Sequence, residues 1–213
     1  MKKNMKIVIF DMDGTLLDSK KDITISVNHV REAHHNLAPL SEEFIVEAIN
    51  MEVRNLSQLF YETEIYHPAD RELFESHYEL QCVKNVYLYE GVEEMLRNLV
   101  ASHIKISVAT NAPTQFALRM LEHLRVKNLF DMIIGADLVN HSKPSPEMLN
   151  NILNYYSFDE KNHKAWMVGD NSKDILSAAS AGIESIFVTW GFSPQSSAKI
   201  VVKKPQEVLD IVL

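Results

Sequence analysis

Two aspartates separated by one residue, Asp11 and Asp13, follow the apolar run Ile7 to Phe10 and lead into Gly14. Such a run reads as a buried strand, and ligands in open α/β sheets bind beyond the carboxyl ends of the strands. Two carboxylates two positions apart can divide labour, one attacking an electrophile while the other moves protons. Gly14 lets the backbone turn sharply beside a ligand. The same spacing occurs in calcium loops, but those need further acidic positions and a late glutamate. None follows here.

Other residues able to do chemistry sit at comparable places. From about Gly91 onward, strand and helix signals alternate. Gly91 to Ser102 has apolar residues at helical spacing, and Ile104 to Ala109 reads as a strand ending at Thr110-Asn111. Pro113 to Leu124 is helical and Met132 to Gly135 is a short strand. A helix is expected after Ser145 with Pro146 at its first position. Ala165 to Val168 is a strand ending at Gly169-Asp170, Ser172 to Ala181 a helix stopped by Gly182, and Ile186 to Thr189 a further strand. This alternation implies a parallel sheet covered by helices, whose strand ends meet at one edge. Thr110, Asn111, Lys143 and Asp170 would then converge with Asp11 and Asp13.

Asp11-Met-Asp13-Gly-Thr15-Leu-Leu-Asp18-Ser19 resembles the nucleophile motif of the haloacid dehalogenase superfamily, in which phosphatases and phosphomutases carry the second aspartate. Val108-Ala-Thr110-Asn111-Ala resembles the second motif of that family, Ser142-Lys143-Pro144-Ser-Pro-Glu147 the third, and Val168-Gly-Asp170-Asn-Ser-Lys-Asp174 the fourth. The resemblance covers the whole chain. It implies an α/β fold, with a Rossmann-like parallel-sheet core carrying an inserted helical cap domain. Asp11 is implied as nucleophile and Asp13 as acid and base. Thr110, Asn111 and Lys143 are implied as phosphate-binding residues, and Asp11, Asp170 and the Asp13 carbonyl as ligands of Mg2+. Asp174 either joins the metal or orients Lys143, and the supporting role is the reading taken. The stretch Phe187-Val-Thr-Trp190-Gly-Phe192 also resembles the phosphoglycolate phosphatase group.

The chemistry fits those residue types. A phosphate monoester is a dianion that repels an attacking carboxylate, so a hard divalent cation, a lysine and hydroxyl or amide donors must offset charge before reaction. The implied activity is hydrolysis of small phosphate monoesters through an aspartyl-phosphate intermediate. Two rivals use similar groups. A β-phosphoglucomutase-like enzyme would return the phosphoryl group to a sugar, and a phosphoacceptor signalling domain would hold a long-lived phosphoaspartate.

The segment from Ser19 to Val86 behaves differently, offering helical stripes and no strand that ends in a polar catalytic residue. Ile23, Val27 and Val30 form one stripe, Phe44, Val46 and Ile49 a second, Leu56, Leu59 and Phe60 a third, and Pro68 to Val83 a fourth helix. The expected division is therefore a catalytic core of residues 1–18 and 87–213 and a helical cap domain of residues 19–86. Where related enzymes commonly have a glycine-containing cap loop, this chain reads Ala48 to Ser57 without glycine, and Arg54 is a candidate contact for a substrate anion. His34, His35, His67 and His77 also fall here, and a solvated face is expected for each.

Composition bounds the remainder. At 213 residues with 46% hydrophobic content the chain can bury a real core. A formal charge of -8 argues against nucleic acid as partner, and a small phosphorylated metabolite is expected instead. The single cysteine, Cys82, rules out an intramolecular disulfide framework. The basic start Met1 to Met5 is followed by an apolar stretch too short for a signal sequence, and no stretch suits a bilayer span. A cytoplasmic protein is the expectation.

Overall fold

In the computed structural model the described residues are 4–51, 54–193 and 198–213. The chain opens with β1 (Lys6–Phe10) and the short β2 (Leu17–Asp18). It continues through α1 (Lys20–His35), α2 (Glu42–Asn50), α3 (Leu56–Tyr61) and α4 (Pro68–Gln81), and returns in β3 (Tyr87–Leu88). Then follow α5 (Val92–Ala101), β4 (Lys105–Ala109), α6 (Thr114–His123), β5 (Met132–Ile134), α7 (Glu147–Tyr155), β6 (Lys164–Gly169), α8 (Ser172–Ala181), β7 (Glu184–Val188), β8 (Val201–Val202) and α9 (Pro205–Val212).

Six strands form one parallel sheet in the order β5-β4-β1-β6-β7-β8. The central place of β1 explains its unbroken apolar run, because a strand covered on both faces has no solvent side to mark with polar residues. Ile7 and Ile9 join Ala165 and Met167 of β6 in one core cluster with Met148, Leu149, Ile152 and Leu153 of α7 and Ala178 of α8. Val8, Phe10, Trp166 and Val168 are equally buried and, by the alternation of a strand, point to the opposite face. The order reverses direction at β1, with β4 on one side and β6 on the other. A crevice at the carboxyl ends is expected at such a switch point.

Two compact units are present. One comprises the chain up to Leu17 together with Leu88–Leu213, the other Asp18–Tyr87. The first contains the sheet. In the second, α1 to α4 bury Val27, Val30, Ile45, Ala48, Phe60 and Tyr61 together. Among the described residues no helix is long and apolar enough to cross a membrane.

Several local expectations need correction. The last strand of the run starts at Glu184 and ends at Val188, before Thr189. Pro146 is the residue just outside α7, not its first helical residue. β8 and α9 were not read from the sequence: two residues are too few for a strand pattern, while Pro205 at the start of an apolar stripe is a usable helix signal. The buried face of α2 is Ile45 and Ala48, whereas Phe44 is exposed. The histidines do not all share a solvated face. His34 Nδ1 and His35 Nε2 lie 2.8 and 3.0 Å from the two oxygens of buried Asp70. His77 stacks on His29 and meets Ser26 Oγ at 2.9 Å, and burial, followed by the His29 and Lys84 charges, pushes its pKa down. His67 is exposed.

The second unit is tied by a buried carboxylate. Asp22, in the first turn of α1, accepts hydrogen bonds from Gln81 Nε2 at 2.8 Å and from the Asn85 N–H and Nδ2 at 2.9 and 2.6 Å. Asp22→Ala leaves these donors without their acceptor, which should cost about 3 kcal/mol. Hydrogen exchange of the full chain should then quicken in α1 and α4 and stay unchanged in β1 and β6. Uniform acceleration, or none, would contradict this local role.

Candidate active site

The parallel ladder carries three polar residues just past the strand ends. Asp11 N–H donates to Val168 O at 2.8 Å, and Thr110 N–H donates to Ile134 O at 3.0 Å, so each continues its strand by one residue. Asp170 follows β6 directly. After Asp11 the chain turns back on itself: the N–H groups of Thr15, Leu16 and Leu17 converge on Met12 O, and Gly14 N–H donates to Leu17 O at 2.9 Å. Gly14 adopts φ +83°, and a Cβ there would lie 2.4 Å from Asp170 Oδ2. The turn therefore needs glycine for its conformation and for the close approach of the carboxylate.

Lys143 lies between two carboxylates. Its Nζ donates to Asp11 Oδ1 and to Asp174 Oδ1, each at 2.7 Å, and the side chain is buried. Burial pushes the ammonium pKa down, but the Asp11 and Asp174 charges and hydrogen bonds outweigh it and leave the pKa raised. The backbone is fixed as firmly. Lys143 N–H donates to Asn111 Oδ1 at 3.0 Å, and Asn111 Nδ2 donates to Lys143 O at 2.9 Å. The Asn111 side chain thus clamps Lys143, and what Asn111 can turn toward a ligand is its backbone N–H.

Asp174 owes its place to the start of α8. Asn171 Oδ1 accepts from Lys173 N–H at 3.0 Å and Asp174 Oδ2 accepts from Asn171 N–H at 3.1 Å, a reciprocal cap of the helix. Its remaining oxygen is the one bonded to Lys143. Burial pushes the Asp174 carboxyl up to about 6, opposed by Lys143 and reinforced by the Asp11 charge. Asp170 is shifted well above the usual carboxylate range by burial and then by Asp11 and Asp174, although Phe192 N–H and Thr15 Oγ1 donate to it.

Carboxylate oxygens of Asp11, Asp170 and Asp174 lie within 4.8 Å of one another. Three carboxylates against one lysine leave negative charge that a proton or a cation must offset. All-oxygen donors suit a hard divalent ion such as Mg2+ or Ca2+. Thr110 is buried at the same edge, and its Oγ1 accepts from Ala112 N–H at 3.1 Å, which leaves the hydroxyl proton as a donor. Asp13 is partly buried and pairs with Leu17 in an isolated bridge.

Sequence reading did not single out Thr15 or Asn171. The pattern Asn171-x-x-Asp174 is a capping-box spacing and could have identified the second. Thr15 gave no signal, because its partner Asp170 is 155 positions away.

Residues 8–188 match the family model of the haloacid dehalogenase-like hydrolases. The chain is similar to a phosphoglycolate phosphatase of Colwellia psychrerythraea, 30% identical over 205 residues that cover 88% of this chain and 86% of the relative. It is also similar to an N-acetylmuramic acid 6-phosphate phosphatase of Pseudomonas aeruginosa, 27% identical over 217 residues covering 98% and 95%. Its fold is that of a crystal structure from Haemophilus somnus described as a predicted phosphoglycolate phosphatase, with a TM-score of 0.83 at 24% identity over the full length of both chains.

If the carboxylate cluster holds a divalent cation, MgCl2 added to chelator-treated protein at ten times its Kd should stabilise the fold by about 1.4 kcal/mol, about 3–5 °C in Tm. Asp170→Asn should remove most of that rise. An equal rise in the variant would place the ion elsewhere.

Proposed function

The chain belongs to the haloacid dehalogenase-like hydrolases, and we propose that it is a magnesium-dependent phosphatase of small phosphate monoesters. Phosphoglycolate is the leading substrate. The observation that carries the reading is the buried Lys143 bridging Asp11 and Asp174 beside Asp170.

In the proposed reaction Asp11 attacks phosphorus in line and becomes an aspartyl phosphate. Asp13, at the turn beyond it, protonates the leaving alcohol and then takes a proton from the water that hydrolyses the intermediate. Thr110 donates its hydroxyl proton to a phosphoryl oxygen, Asn111 contributes its backbone N–H, and Lys143 supplies a fixed positive charge. Asp174 keeps the ammonium oriented. Asp11, Asp170 and the Asp13 carbonyl would hold Mg2+, which offsets the charge of the phosphoryl group when bound. Positioning and charge neutralisation supply most of the rate in phosphoryl transfer.

The helical unit Asp18–Tyr87 is assigned as the cap that selects the leaving group. Arg54 belongs to it, and burial lowers the pKa of its guanidinium. Glu52 and Val53, in the loop without glycine, lie outside the described residues. The muramic acid phosphate relative supports including phosphosugars among the substrates tested.

The test is phosphate release with Mg2+ over a panel containing phosphoglycolate, sugar phosphates and nucleotides. Wild type should turn over small esters, and Asp11→Asn should lose at least about a thousandfold in kcat while remaining folded. Near-normal turnover by that variant would refute the nucleophile. Sugar phosphate interconversion that needs a bisphosphate, without net hydrolysis, would refute the phosphatase reading in favour of the mutase.

A further inference from the structure

We propose that Trp190 is a positioning residue for Asp170, acting through Thr15 to aim that carboxylate at the metal; this rests on the magnesium-dependent reading above. Three segments distant in sequence close into one ring. Trp190 Nε1 donates to Thr15 O at 3.0 Å. Thr15 Oγ1 donates to Asp170 Oδ1 at 3.0 Å. Phe192, two residues after Trp190, donates its N–H to Asp170 Oδ2 at 2.7 Å.

Each oxygen of Asp170 thus has one fixed donor, and rotation of the carboxylate would break both bonds. The orientation left to it is the one that brings an oxygen toward Asp11 and Asp174. Thr15 can hold its hydroxyl in place only if its own backbone is held. It sits in the turn just after Gly14, and the indole N–H fixes its carbonyl from outside the turn.

Packing between Trp190 and Phe192 leaves no slack. A Cβ on Gly191 would lie 2.0 Å from Gly14 O and 2.5 Å from Asp170 Cβ. The segment therefore touches both the catalytic turn and the carboxylate, and Trp190 is half-buried at its start. Groups that orient metal ligands govern affinity although they never touch the ion. Trp190 stands one hydrogen bond further out than Thr15.

Removing a direct partner of a metal ligand commonly weakens binding by about 10–100-fold, so Trp190→Phe, which keeps an aromatic ring and loses the N–H, should raise the Mg2+ Kd by about fivefold. Titration calorimetry with MgCl2 measures this without turnover. In phosphate release, the half-saturating Mg2+ concentration should rise in parallel while kcat at saturating Mg2+ stays within about twofold of wild type. Thr15→Val should weaken Mg2+ more, and the double variant no further than Thr15→Val alone.

An unchanged Kd, additive losses in the double variant, or a fall in kcat with unaltered Mg2+ dependence would overturn the proposal. Should Trp190→Phe fail to fold, site-specific incorporation of the benzothiophene analogue at 190, with sulfur replacing the N–H, answers the same question in the native shape. Wild-type protein that binds no Mg2+ refutes the magnesium reading and this inference together. Wild-type binding with an indifferent Trp190 variant refutes this inference alone.

Discussion

An ammonium buried between two carboxylates is the constraint on which the site depends. Taking Lys143, Asp11 and Asp174 out of water costs several kcal/mol per ion, and their attraction offsets this only when the geometry is good and the remaining polar atoms are bonded. The surroundings of Lys143 meet that condition. Asn111 clamps its backbone on both sides, the cap of α8 fixes Asp174, and the β1 ladder fixes Asp11. Asp11 stands at the end of the central strand of the sheet, where the ladder holds its backbone.

That centre is also electrostatically incomplete. Asp170 adds a third carboxylate, raised by burial and by its two neighbours, and Lys143 cannot neutralise them all. An anionic substrate entering beside such a cluster would be repelled unless a cation came with it. In the reaction proposed above, a hard metal at the cluster would offset that charge. The protein contributes orientation: Thr15 and Phe192 donate to the two oxygens of Asp170, and Trp190 donates to the Thr15 carbonyl.

The helical unit Asp18–Tyr87 solves a different problem with similar means. Its apolar core is small, and polar groups are buried beside it. Asp22 gathers Gln81 and Asn85, Asp70 lies between His34 and His35, and Arg31 donates to the carbonyls of Ala38 and Phe60. Bonds of this kind fix how four short helices meet, because each donor reaches its acceptor in only one arrangement.

The alternation of strands and helices, the polar residues after strand ends and the family resemblance were legible because they are local: each depends on residues adjacent in the chain or repeated at a helical or strand period. Ile7 to Phe10 followed by Asp11 is such a signal, and Ser172 to Ala181 before Gly182 is another. The buried face of α2 was misread because Phe44 and Ile45 are both apolar, and only the neighbouring helices decide which turns inward. That His34 and His35 meet a buried carboxylate left no local sign, because Asp70 is more than thirty positions away. The sequence by itself singled out candidate residues for the chemistry and implied one parallel sheet. Beyond the expected pairing of Asp174 with Lys143, only the tertiary structure decided their partners: that Asn111 clamps Lys143 and that Trp190 reaches Thr15. Hydrogen bonds between distant segments leave no periodic trace, since they require nothing of the residues in between.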